Sequence, residues 1–125
     1  MGTNYLLVTN AVLDFLGNKL SNNAWVILSQ IIDEEINLSA INKIELLGFS
    51  RIEQELIEFV SFANVYPITD EIVEKTIEIR RVYKIKLPDA IIAATAVYHK
   101  FTLITNNIKD FKDLKELKTL CPNNL

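Results

Sequence analysis

The chain has a single cysteine, a single histidine, three glycines and three prolines in 125 residues. Cys121 alone cannot close an internal disulfide, so a reducing cytoplasm is the expected address. The few glycines and prolines form no linker, and no low-complexity tract or repeat divides the sequence. No apolar run approaches the roughly 20 residues that a membrane-spanning helix needs. The N-terminus has no basic, apolar, small-residue leader, so no export signal is expected. There is no excess of positive charge either. The net charge is −3, which argues against a general nucleic-acid coat but leaves room for a local basic patch. What is abundant is apolar residue, at 50%. That is enough for the core of one domain spanning residues 1–125, and the chain is too short for two.

Apolar runs and helical spacing alternate along the chain. Residues 4–8 read as a buried strand. Asn10 is a candidate cap for the next helix, and Gly17-Asn18 a stop. A second helix begins near Ser21–Asn23, with Trp25, Leu28, Ile31 and Ile32 on one face. Residues 36–40 suggest a strand, 42–50 and 51–62 two helices, and 65–68 a brief strand. Thr69 caps a helix to about Tyr83, with Asp70 and Glu71 in its first turn and Arg80 and Arg81 in its last, as the helix dipole favours. Leu87-Pro88 opens a further, strongly apolar helix. Residues 101–105 and 118–121 read as strands, with a helical turn over 109–115 between them. Alternating strands and helices predict an α/β sandwich on a mostly parallel sheet, whose ligands bind beyond the C-terminal strand ends.

Three acids fall just after strands. Asp89 lies in the first turn of the apolar helix, where a carboxylate also answers the helix dipole. Asp110 follows the strand 101–105, and Asn107-x-x-Asp110 fits a capping box. Asn42-x-x-Glu45 fits one as well. Each acid alone reads as a cap. Together, three carboxylates at one sheet edge would call for a hard divalent cation such as Mg²⁺ or Mn²⁺. Thr105, Asn106 and Asn107 are suited to holding water or a phosphate, and are equally ordinary loop residues.

The segments Tyr5-Leu6-Leu7-Val8-Thr9-Asn10-Ala11-Val12-Leu13-Asp14, Ile41–Leu47, Leu87–Ala96 and Leu103–Phe111 resemble the PIN domain, and most closely the VapC-type toxins of bacterial toxin–antitoxin pairs. Pro-Asp-Ala-x-Ile-Ala-Ala-Thr-Ala and Thr-x-Asn-x-x-Asp-Phe are the most specific pieces. The resemblance covers essentially the whole chain. It implies a three-layer α/β/α sandwich and a metal-dependent endoribonuclease cutting tRNA, rRNA or mRNA. It also implies a cognate antitoxin and a homodimer. By the same resemblance Glu45, Asp89 and Asp110 are the catalytic carboxylates and metal ligands, with Thr9, Asn10, Thr105 and Asn107 as polar support behind them. The chain departs from the pattern at Val8, where the family's first acid belongs. Valine neither ligates nor takes a proton, so cleavage is expected to be attenuated or absent. A natural variant with a disabled site and a deliberate replacement of the acid both fit, and the match of the flanking residues favours the second.

Arg80, Arg81, Lys84 and Lys86 precede Asp89 and are candidates to guide an RNA backbone, or simply cations at a helix end. Helices 42–62 carry more apolar surface than one face needs. In the family this pair forms a groove for the antitoxin's C-terminal segment, while ordinary core accounts for most of it. His99 reads as a surface residue at a helix end and Cys121 as buried packing. A catalytically silent protein acting through antitoxin and dimer contacts is the alternative function. A receiver-like phosphoacceptor is disfavoured, because paired acids after the first strand are missing.

Overall fold

The computed structural model describes residues 3–125. It has five short parallel strands and six α-helices: β1 (Tyr5–Leu7), α1 (Thr9–Leu16), α2 (Asn22–Glu34), β2 (Asn37–Ser39), α3 (Ala40–Leu47), α4 (Gln54–Ser61), β3 (Asn64–Tyr66), α5 (Asp70–Val82), α6 (Leu87–His99), β4 (Thr102–Ile104) and β5 (Lys118–Leu120). Single 3-10 turns cover Ile108–Asp110 and Pro122–Asn124. This is the expected α/β fold, with one difference in the sheet. The strands form two ladders, β1-β4-β5 and β2-β3.

The seam between the ladders is closed by a side chain. β1 and β2 lie side by side, and the buried Asn37 amide donates to the Tyr5 carbonyl at 2.9 Å and to Glu35 Oε2 at 2.9 Å. Its Oδ1 accepts from Asn64 Nδ2 at 3.2 Å and Tyr66 Oη at 3.4 Å. With strands only three residues long, backbone pairing alone gives little, and this amide ties β1, β2 and β3 to one another.

Leu6, Leu7, Leu38, Leu103 and Ile104 from the strands meet Ala90, Ala93, Ala94 and Ala96 of α6 in the core. Alanines on α6 let the helix lie close to its neighbours, since small side chains shorten the distance between packed axes. Pro88 opens α6, and Lys100 in left-handed geometry (φ 61°) closes it. Asn18 (φ 58°) takes the same geometry just after α1. Thr69 caps α5 as read from the sequence, accepting from the Ile72 N–H at 3.3 Å.

Four local expectations are corrected. Val8, and not Asn10, is the N-cap of α1, and it makes no side-chain capping bond. Ser39, and not Asn42, caps α3, accepting from the Asn42 N–H at 3.1 Å; the helix starts earlier because the last residue of β2 is itself a capping serine. Trp25 does not join the core face of α2. It is exposed and stacks on Phe15, with ring centroids 5.8 Å apart. His99 is not simply a surface residue. It sits among Tyr66, Tyr98 and Phe101, at centroid distances of 4.6, 5.0 and 5.6 Å, and burial lowers its pKa.

Candidate functional site

The C-terminal ends of β1, β2 and β4 point to one edge, where the chain turns into α1, α3 and the loop after Ile104. A cavity of about 250 Å³ opens there, and Glu45, Asp89 and Asp110 all line it. So do Val8, Thr9, Asn10, Thr105 and Asn107. The structure thus brings together every residue read from the sequence as ligand or support. Asn42, Leu13, Ile92 and Phe111 complete the lining.

Neither capping box forms. Glu45 lies well inside α3, and its Oε1 accepts the Thr9 hydroxyl at 2.6 Å. Thr9 in turn accepts from Asn42 Nδ2 at 3.2 Å, and Asn42 Oδ1 accepts from the Ser39 hydroxyl at 2.7 Å. A relay therefore runs from the end of β2 through the first turn of α1 to Glu45. Asn107 makes no side-chain cap for the turn Ile108–Asp110; its backbone N–H donates to Thr105 Oγ1 at 3.0 Å, which leaves the Asp110 carboxylate exposed at the cavity rim.

Asp89 is half-buried in the first turn of α6. Burial pushes its carboxyl above the ordinary value, the charges of Asp110 and Glu45 push it further, and Lys86 opposes them. The acids therefore feel one another across the cavity. Val8 lines the same cavity, 5% exposed, with its backbone N–H donating to the Ile104 carbonyl at 3.2 Å. An acid there would cap α1 and face the other three, whereas valine does neither.

Asn106, read from the sequence as a residue suited to holding water or a phosphate, instead secures the site's loop. Asn106 Nδ2 donates to Asp14 Oδ2 at 2.5 Å, its backbone N–H donates to Asn10 Oδ1 at 3.4 Å, and its Oδ1 accepts from Cys121 Sγ at 3.7 Å. Asp14 is thus engaged with the loop and does not line the cavity, so it cannot stand in for an acid at position 8. Cys121 is only partly buried. The buried Asn42 was legible only as a helix cap, because nothing in sequence marks an asparagine three residues after a serine as a bridge to a distant threonine.

The expected basic residues separate. Lys84 and Lys86, with Lys109, line a second recess of about 220 Å³ that shares Asp89 and Asp110 with the first cavity. Arg80 and Arg81 are exposed on the last turn of α5 and line neither.

Among the described residues no three acidic, histidine or cysteine side chains converge tightly enough to form a finished metal cage. The donor set nevertheless suits a hard cation. It consists of carboxylates with hydroxyl and amide oxygens nearby, the oxygen ligands Mg²⁺ and Mn²⁺ prefer. The upward push on Asp89 from its two acidic neighbours is the repulsion that such a cation offsets.

The profile of the PIN domain family matches residues 5–117. A toxin–antitoxin complex from Klebsiella pneumoniae is similar at 30% identity and a TM-score of 0.74, the match covering 95% of this chain and 98% of that one. Two more distant structures share the fold. VapBC2 from Rickettsia felis bound to a promoter DNA fragment has 24% identity, a TM-score of 0.76, and coverage of 95% and 98%. DNA-bound VapBC from Salmonella typhimurium has 18% identity, a TM-score of 0.78, and coverage of 97% and 99%. No curated protein sequence gives a significant match. None of the described helices is long and apolar enough to cross a membrane.

Proposed function

The chain belongs to the PIN domain family, and from that premise we propose that it is the toxin of a type II toxin–antitoxin pair, built on a Mg²⁺- or Mn²⁺-dependent endoribonuclease site that is incomplete at position 8. The observation that carries this reading is the single cavity shared by Glu45, Asp89, Asp110 and Val8. Glu45, Asp89 and Asp110 are the groups to hold the cation. When bound, the cation supplies Lewis-acid polarisation of a phosphodiester and a more acidic water.

The protein's own part is positioning. Thr9 fixes one Glu45 oxygen and leaves the other free. Asn106 secures the loop that carries Asp110. Thr105 and Asn107 set the backbone before it. Val8 removes one negative charge and one proton acceptor from the centre of this arrangement, so cleavage by this chain is strongly reduced.

The partner is a cognate antitoxin. Its support is apolar surface on and between α3 and α4: Ile44, Phe49 and Ile57 are exposed, as is Phe62 just beyond α4. A recess of about 280 Å³ beside them is lined by Leu13, Leu16, Phe49 and Leu56 with Arg51 at hand. Solvent-facing aromatic and aliphatic side chains at this density mark an interaction surface. The Klebsiella relative is itself a toxin–antitoxin complex.

Titration calorimetry with Mn²⁺ or Mg²⁺, comparing this chain with Val8→Asp, tests the nuclease reading. Tight binding by the aspartate form, with metal-dependent RNA cleavage, supports it. Absence of binding in both forms removes it. The second reading, a silent binding protein, is favoured by one observation: Val8 is packed into the core as a buried apolar residue. Under that reading, replacing Glu45, Asp89 and Asp110 with their amides leaves antitoxin binding and repression unchanged, and Val8→Asp gains no cleavage.

A further inference from the structure

Asn106 is pinned from two sides. Its backbone N–H donates to Asn10 Oδ1 at 3.4 Å and its Nδ2 to Asp14 Oδ2 at 2.5 Å. Asn10 and Asp14 stand four residues apart on α1 and so share one face of it. On the other side, its Oδ1 accepts from Sγ of Cys121, the residue that follows β5. The tie to Asp14 is the shortest of the three, and its acceptor is a carboxylate, the stronger kind.

From Asn106 to Asp110 the chain keeps little freedom. The Asn107 N–H donates to Thr105 Oγ1 at 3.0 Å, the Asp110 N–H to the Asn107 carbonyl at 3.1 Å, and the Phe111 N–H to the Ile108 carbonyl at 3.0 Å. Buried Phe111 anchors the far end. At the start of the same α1, Thr9 holds Glu45 at 2.6 Å. One helix of eight residues therefore carries the supports of two acids, and both acids line the cavity.

We propose that Asp14 and Asn106 are positioning residues, whose side-chain bond lets α1 set the spacing between the Asp110 and Glu45 carboxylates. Asp14 is no ligand, since it does not line the cavity. It acts through Asn106 on the loop that ends in Asp110. The use of that spacing, to hold a cation, rests on the metal-dependent reading, which the pair deepens. Groups that orient a ligand in this way contribute about 10–100-fold to metal affinity.

Two measurements test the pair. In EDTA, Asp14→Ala is expected to speed hydrogen exchange of the Asn107, Asp110 and Phe111 amides about fivefold, as for one lost hydrogen bond, with β1 and β4 unchanged. In the Val8→Asp protein, the same replacement is expected to weaken Mn²⁺ binding about tenfold by calorimetry. Asp14→Asn removes the charge and keeps an oxygen acceptor, so both values should stay near the parent's, which separates position from long-range charge. Adding Asn106→Ala to Asp14→Ala should change little, because both remove the same bond. Ile79→Val, in the buried face of α5, lowers stability away from the loop and should leave both readouts unchanged. Parent-like loop exchange in Asp14→Ala overturns the proposal. So does faster exchange with unchanged Mn²⁺ affinity, or an asparagine variant as weak as the alanine one. If Val8→Asp binds no Mn²⁺ at all, the metal-dependent reading falls by itself, and the exchange in EDTA decides whether Asp14 holds the loop.

Discussion

The Thr9 hydroxyl donates to Glu45 Oε1 at 2.6 Å, joining residues 36 positions apart. The Thr9 hydroxyl oxygen also accepts from the amide of buried Asn42. One side chain therefore orients a site carboxylate and satisfies an amide that water cannot reach.

Thr9→Val removes both bonds and keeps the shape. It should destabilise the protein by about 1–3 kcal/mol, because the Asn42 amide is left without a partner. Thr9→Ser should recover most of the loss. Urea denaturation midpoints of the two variants check this, and equal midpoints would show that the relay adds nothing.

Position 8 is an N-cap without a capping side chain. Val8→Asn supplies an acceptor for the free N–H groups of α1 without adding charge, a gain of about 1 kcal/mol set against the loss of a buried valine, and so serves as the uncharged reference for an acid at this position. Val8→Asp offers the same cap but adds a fourth carboxylate to a cavity holding three. Its melting temperature should fall below that of Val8→Asn in EDTA and overtake it in Mg²⁺ or Mn²⁺. A melting temperature for the aspartate form that ignores the cation would break this expectation.

Asp89 has its folded pKa raised by burial and then by Asp110 and Glu45. Its ionised form is therefore disfavoured in the folded state. The sign follows from linkage: above the raised pKa Asp89 detracts from stability, and the loss is relieved as pH falls through it. Asp89→Asn should raise the melting temperature at neutral pH, and its advantage over the parent should shrink as the pH drops through the carboxylate range. An advantage that is constant with pH would mean the charge of Asp89 is not the cause.

Asn37 is 1% exposed and bonds to β1, β3 and Glu35 at once. Asn37→Leu has a similar volume and no hydrogen bonds. It removes the amide's bonds to the Tyr5 carbonyl, Asn64 and Tyr66 across the seam, and should cost about 1–3 kcal/mol. Hydrogen exchange should show the opening concentrated in β2 and β3; uniform acceleration throughout the chain would argue against a local seam.

Much was legible in the sequence because it is local. Alternating apolar runs fixed the order of strands and helices. Thr69 and Leu87-Pro88 marked helix starts through side-chain oxygen and restricted φ, which act on their own neighbours. Asp89 stood out by its place in the first turn of an apolar helix, Asp110 by its place after a strand, and Val8 by its conflict with the residues around it. The tertiary structure decided what depends on distant partners. It turned Glu45 and Asn107 away from capping, made Asn42 a buried bridge to Thr9, drew His99 into an aromatic cluster, and used Asn37 to close a gap between two ladders. It also divided the basic residues, leaving Arg80 and Arg81 outside a recess that Lys84 and Lys86 share with Lys109. A periodic pattern specifies which face of an element is apolar. It does not specify which polar atom, tens of residues away, will lie within 3 Å once those faces are packed.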